Sequence, residues 1–441
     1  TTDGATDHIK LTGDCEFDAV TVDSGDRLDI NGQRAEFSGT LDVNGTIYNT
    51  LGSSTIKGQI WGNAIQTTGS NNAVHCDLIS DGGYFDADQT TYNTIFMRSG
   101  THTIGGTRSW SSSPLIVGGT TNFTSTNTWG DITMADGGSF TGNDETINCG
   151  GDFKTSGGLI GKTGLYLNGL YEVQFDGSNA AQQWDSGASA NGTVEGWFKA
   201  DAFSYDVMAR SYNNGKWMLL MNSGDLQFMV TDNSNVSKTI SATHGLSTDQ
   251  WFHVAGVCDG TSQLLYINGK LVASETKNAG LKSATGDWAF GKNPDDTTNN
   301  YRWDGHIHQF RVWKEARTVN EIRTNMFTST PTDTNSKLAA NINFEVTGSG
   351  TSVVTDAEGN GNGVLRKWDG SATVDTTDTE AWATSGTFDK GTDSTVNMTG
   401  ADGKLYLGSN GYMFDNLGLA PSGGTTTLTK VGGHTNMRVY K

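Results

Sequence analysis

Glycine interrupts the first 160 or so residues so often that no strand there can run long. In TVDSGDRLDINGQRAEFSGTLDVNGTIYNTLGSSTIKG the apolar positions are Val22, Leu28, Ile30, Phe37, Leu41, Val43 and Ile47, and Gly25, Gly32, Gly39 and Gly45 fall between them. Glycine turns a chain without a Cβ penalty. Leu28/Ile30 and Leu41/Val43 alternate with polar residues, the period of half-buried strands. Strands of roughly three to five residues, turning every six to eight, are too short for an ordinary sandwich. They suit a solenoid whose rungs turn several corners and stack. The composition agrees: 59 of 441 residues are glycine and only 4 are proline, against norms of ~7% and ~5%. A helical bundle is excluded.

The end of the chain resembles its beginning. Thr387-Phe388-Asp389 in SGTFDKGTDSTVNMTG echoes Thr40-Leu41-Asp42 in SGTLDVNGTIYNTLG, and KLYLGSNGYMFDNLGL keeps the strand–glycine–strand rhythm. Between them the strands lengthen and most of the tryptophans appear. TVEGWFKA, KWMLLMN, DLQFMVTD, WFHVAGVCDG, QLLYINGKLVA and HQFRVWKEA read as an antiparallel meander turning at Ser223-Gly224, Asp259-Gly260 and Asn268-Gly269. One short helix is expected over Ala316–Met326, with Val319, Ile322 and Met326 on one face. The expected architecture is all-β: a β-solenoid over 1–164, an inserted antiparallel jelly-roll sandwich over 165–382, and a solenoid continuation or C-terminal β cap over 383–441.

Charge narrows the partners. The net charge is −19, which argues against nucleic acid, whose phosphates need clustered Lys and Arg, and against a polybasic contact with anionic lipid. No run of apolar residues is long enough to insert in a membrane. Cys15, Cys76, Cys149 and Cys258 are far apart, so they read as isolated thiols rather than a zinc site or a disulfide scaffold. The chain opens on Thr1 without a signal-peptide pattern, so the numbering is expected to begin inside a longer or processed product.

Six segments, in order, resemble the laminin-G-like, concanavalin-A-like jelly-roll family in its pentraxin-related branch. They are VQFDGSNAAQQW (173–184), TVEGWFK (193–199), WFHVAGVCDGTSQLLYINGKLV (251–272), WAFGKNPDD (288–296), WDGHIHQFRVWKEARTVNEI (303–322) and NINFEVTGSGTSVVTDAEGNGNGVL (341–365). One departure is His308, where the family usually carries an acid. The resemblance implies a loop rim that binds calcium, here Asn213 and Asn214 with Asn293, Asp295 and Asp296. Calcium wants six to eight oxygens, and Asn213 in place of an acid implies weaker affinity. Asn-Asn-Gly and Pro-Asp-Asp are also good turn formers. Asp356, Glu358 and Asn360 in TDAEGNG alternate like calcium ligands but lack the downstream bidentate Glu, which favours a polar turn.

The same resemblance implies sugar binding at the rim, where flat rings cover C–H faces and polar groups bond hydroxyls. The candidates are Tyr212, Tyr301, Arg302 and Trp303. Tyr301 and Trp303 are expected to be exposed, because the loop DDTTNNYRWDG is so polar. Trp217 lies on an alternating strand and is either core or rim; Trp197, Trp251, Trp288 and Trp313 read as core. Catalysis finds little footing: Glu195 is a single acid where jelly-roll glucanases carry alternating ones. The only solenoid cluster is Asp77, Asp81, Asp86 and Asp88, which also reads as a solvated turn. The expected protein is non-enzymatic, surface-displayed and adhesive. It resembles fibre, spike and decoration proteins of bacteriophage virions, and bacterial adhesins, with a glycan or a neighbouring virion or surface subunit as partner. A purely structural role and a polysaccharide depolymerase are the alternatives. Open solenoid ends favour capping by partners, a homo-oligomer among them.

Overall fold

The computed structural model describes residues 8–51, 57–67, 71–72, 76–87, 92–111, 113–134, 138–141, 143, 145–154, 165–177, 182, 184, 191–211, 216–276, 281–282, 286–292, 301–328, 330–331, 333, 335–343, 352–377, 387–389, 395–399, 404–407, 412–414, 416–419, 427–430 and 437–439. The chain divides into two compact units: Thr1–Gly161 with Thr384–Lys441, and Lys162–Ala383.

The first unit is a three-sided parallel β-solenoid. Each level supplies one short strand to each side, such as Thr101–Ile104, Arg108–Trp110 and Leu115–Val117. Equivalent residues stack in register: Thr101 pairs with Thr120, and Thr120 with Ser139. The last two are 19 residues apart. Arg34–Val43 and Gly58–Thr67 each run through a corner and join two sides into one sheet. The interior is a stack of matched apolar positions. Trp110, Trp129, Cys149 and Met398 occupy consecutive levels at one of them. The two indoles stack at 4.2 Å, worth roughly 0.5–1.5 kcal/mol beyond burial.

That stack crosses the insertion without a break. Ser139–Thr141 pairs in parallel with Thr387–Asp389, Thr146–Cys149 with Thr395–Met398, and Phe153–Lys154 with Lys404–Leu407. Thr40-Leu41-Asp42 and Thr387-Phe388-Asp389 belong to the same sheet, although the register does not stack them in the same columns. The second unit lengthens one corner. Two levels earlier, Leu115–Val117 reaches Thr120–Phe123 through Gly118 and Gly119 alone. A Cβ at Gly119 would stand 2.6 Å from the Gly100 carbonyl oxygen, so that tight corner needs glycine. After Phe153–Lys154, the chain returns to the solenoid only at Thr387.

The second unit is an antiparallel sandwich of a seven-stranded and a nine-stranded sheet. Gly192–Ala200 lies in the first, between Gly305–Trp313 and Trp251–Cys258. Tyr205–Ser211 lies in the second, between Trp217–Asn222 and Trp288–Phe290. Asn268 and Gly269 both have positive φ, which suits the two-residue hairpin there. The core between the sheets contains Val194, Phe198, Met208, Leu219, Phe228, Phe252, Phe290, Trp303 and Phe310. Trp217 belongs to this core, and Trp197, Trp251, Trp288 and Trp313 are buried as well.

The helix spans Val319–Asn325, shorter than the expected Ala316–Met326. Thr318 closes a capping box with Glu321, which sets the start, and Ala316 and Arg317 stay outside it. Ile322 packs onto Ala255, Val257 and Tyr266, and covers the outer face of the seven-stranded sheet. All four cysteines are free; Cys15 is half-buried and the others are buried.

Candidate functional site

The described rim lies where the chain crosses between sheets, from Ala200 to Tyr205, and where residues 301–304 lead into Gly305–Trp313. Backbone hydrogen bonds tie the crossing together. The Asp201 amide donates to the Asp304 carbonyl at 3.1 Å, Val207 to Tyr301 at 3.0 Å, and Trp303 to Gly291 at 3.0 Å. Gly305 (φ 151°) tolerates no side chain, because its Cβ would sit 2.2 Å from the Lys199 carbonyl oxygen.

Of the three consecutive candidates Tyr301, Arg302 and Trp303, only the first faces solvent. Tyr301 is 51% exposed and has a left-handed φ of 59°. It meets Tyr205, 46% exposed, edge to face at 4.9 Å. Two amphipathic rings on the surface give an apolar platform with hydroxyl handles.

Trp303 corrects the sequence reading: it is fully buried, edge-on to Phe198 at 5.8 Å. Local polarity misleads here because Trp303 packs into the sandwich core against residues distant in the chain, Phe198 among them. Arg302 is corrected too. It is buried, with its guanidinium 3.0 Å from Glu172, donating to the Leu170 carbonyl at 3.2 Å and to Thr373 at 3.0 Å. Lys292 joins the same group, 3.3 Å from Glu172 and 3.2 Å from Thr373. Arg302 and Trp303 thus anchor the segment that presents Tyr301. Tyr212, Asn213, Asn214, Asn293, Asp295 and Asp296 lie outside the described residues. Their flanks are described: Ser211 pairs with Trp288, and Ala209 with Phe290. The chain therefore leaves towards 212 and towards 293 from opposite ends of that ladder.

Three carboxylates line the same end of the sandwich. Asp206 is only 6% exposed, and its Oδ2 accepts no hydrogen bond among the described residues. Burial pushes its carboxyl up to about 6; the charge of Asp304 adds to the rise and the Ser204 amide opposes it. Asp304 is raised by burial and by Asp201, against His306. His306 stands 3.7 Å from Asp201 and stacks on Tyr166 at 4.5 Å. Tyr205 and Asp206 were not among the residues that sequence pattern marked for the rim. The available signal was an aromatic–acid pair at the first position of a strand.

The other acids singled out in the sequence are engaged structurally. Glu195 is buried beside the helix, accepting from Trp313 Nε1 at 2.8 Å, with Arg311 at 3.5 Å and His253 at 3.7 Å. Burial and Arg311 hold His253 neutral, down to about 3. In the solenoid, Asp81 is bidentate to Arg98 and Asp86 pairs with Arg108 at 2.8 Å. Asp77 is buried with Asn93 at 2.9 Å, and Asp88 lies outside the described residues. Asp356 forms a polar turn, accepting from Gln182 and from the amides of Asn341 and Glu358. Among the described residues no three His, Cys, Asp or Glu side chains are grouped to hold a metal ion, and no helix is long and apolar enough to cross a membrane.

Residues 173–323 match the family model described as the concanavalin A-like lectin/glucanases superfamily, so the inserted sandwich is a domain of the laminin-G and concanavalin A-like class. Pappalysin-1 of Mus musculus is 33% identical over 103 residues, and that of Homo sapiens 31%. Each match covers 22% of this chain and 6% of the relative, so the similarity spans only a small part of those proteins. A candidate carbohydrate-binding protein of Bacteroides ovatus is structurally similar at a TM-score of 0.38 and 20% identity, covering 50% of this chain and 60% of that one. A heptameric SAP-like pentraxin of Limulus polyphemus follows at 0.31 and 20%, covering 37% and 82%. At such scores these likenesses assign no function to this chain.

Proposed function

We propose that the chain is a non-enzymatic glycan-binding protein, in which the lectin-class domain presents the Tyr205–Tyr301 rim to a saccharide and the solenoid is a stiff carrier. The carrying observation is the exposed pair of rings, Tyr205 and Tyr301, at the end of the lectin-class sandwich. Rings for C–H faces and convergent polar groups for hydroxyls are what a sugar site needs. Display on a virion or a cell envelope, beside other coat subunits, is part of this reading and is tested by immunogold labelling. A glycan array tests the binding: retention that is lost in Tyr205→Ala with Tyr301→Ala supports it. A blank array with the folded chain favours a purely structural component.

One observation favours a second reading, a polysaccharide depolymerase. Asp206 and Asp304 are neighbouring carboxyls whose affinity for a proton is raised by burial, so a carboxylic acid able to donate a proton is at hand. Release of reducing ends from a bound polysaccharide, lost in Asp206→Asn, would establish it.

Calcium at Asn213, Asn214, Asn293, Asp295 and Asp296 is a separate proposal. Millimolar calcium is expected to raise the melting temperature by mass action, and Asp295→Ala with Asp296→Ala to abolish the rise. No shift in the unsubstituted protein removes the proposal.

A further inference from the structure

The rim is acidic in a way that constrains its ligand. Asp201, Asp206 and Asp304 face it, and among the described residues the titratable groups around them include His306, Tyr205 and Tyr301. The nearby cations Arg302 and Lys292 are drawn to Glu172. Asp206 is more than nine-tenths buried, yet among the described residues one of its oxygens has no partner, which is costly unless a donor is supplied, as a ligand would supply it. Tyr205 and Asp206 are successive residues of one strand, so the rings and the buried carboxylate lie on opposite faces of the pleat. One sugar cannot span both; a chain of two or more crossing the sandwich end can.

We infer that the rim binds an oligosaccharide bearing free amino groups, with an ammonium at Asp206 and Asp304 and a neighbouring sugar on Tyr205 and Tyr301. This rests on the glycan-binding reading above and deepens it. An ammonium supplies hydrogen-bond donors and a positive charge, and the electron-rich ring faces attract cations as well. A uronic acid or sialic acid would meet like charge, within a chain of net charge −19. A fully N-acetylated oligosaccharide would bring no charge to offset the clustered carboxylates. Occupancy by an ammonium would also favour the ionised Asp206, against the burial that raises it.

The test is calorimetric titration of the full chain at pH 6.5 with a β-1,4-linked glucosamine tetramer and its N-acetylated counterpart. The free-amine tetramer is expected to bind at least tenfold more tightly. Asp206→Asn should remove most of that difference, whereas Tyr301→Ala should weaken both ligands. Circular dichroism confirms that each variant is folded. Equal or tighter binding of the N-acetylated tetramer, or an unchanged ratio in folded Asp206→Asn, overturns the amine preference and leaves glycan binding standing. Failure to bind the free-amine tetramer, with neutral glycans retained on an array, does the same. Failure with a blank array removes both readings.

Discussion

Neighbouring residues on the rim have opposite fates, and stability should read this directly. Trp303→Ala empties a core site and should cost about 3–5 kcal/mol, whereas Tyr301→Ala should stay within ~0.5 kcal/mol. Chemical denaturation of the two variants checks the pair. Asp206 makes a prediction with a definite sign. Its folded carboxyl titrates near 6, above the unfolded value of ~3.9. Between those values the folded state holds the extra proton, so this group favours folding at low pH and disfavours it as pH rises through 6. His253 acts in the opposite sense. Its folded value near 3 lies below that of a free histidine, so stability falls as pH drops below ~6.5. The two partly cancel between pH 4 and 6. Asp206→Asn should therefore stabilise the protein at pH 7 by about 1–3 kcal/mol and steepen its loss of stability on acidification. Urea titrations at pH 7, 5.5 and 4.5 measure both; a variant no more stable at pH 7 contradicts the assignment.

At the scale of elements, the helix Val319–Asn325 matters for what it covers. Arg311 donates to the Asn325 carbonyl at 2.9 Å while facing Glu195. Arg323 donates to the Gly269 carbonyl at 2.8 Å. The helix thus encloses a polar layer on the back of the seven-stranded sheet, away from the sandwich core. Thr318→Ala should cost about 1 kcal/mol by opening the capping box. Arg311→Met should cost more, ~3–5 kcal/mol, because it leaves the Glu195 carboxylate buried without its cation. Thermal unfolding of the two variants separates cap from charge. The strands, their turns and the helix were legible from local pattern, because alternation and Asn-Gly chemistry act over a few residues. The helix start needed the Thr318–Glu321 reciprocity, which sets the first turn.

For the whole molecule, parallel pairing on either side of the insertion makes a direct prediction. Replacing residues 155–386 by two glycines, as at Gly118-Gly119, should leave a folded solenoid, since all three sides are already in register across the gap. Residues 162–383 should fold alone, having their own core. Circular dichroism and calorimetry of both products decide; an unfolded sandwich beside a folded full chain would overturn the division. The repeat spacing was not legible in the sequence. Corners vary from two residues to the length of a domain, so a fixed period does not survive in the sequence although it does in the strand register.

What the sequence by itself determined was the part set by short-range physics. Dense glycine and scarce proline required short strands, alternation marked the apolar faces, and ordered segments of the middle pointed to a lectin-class sandwich. Tertiary structure decided which side chains are available. Trp303 in a polar loop is core, Arg302 is drawn to Glu172, and Tyr205 meets Tyr301 from a segment about a hundred residues away in the chain. Exposure and partnership depend on what packs against a residue from distant segments, and no local pattern carries that information.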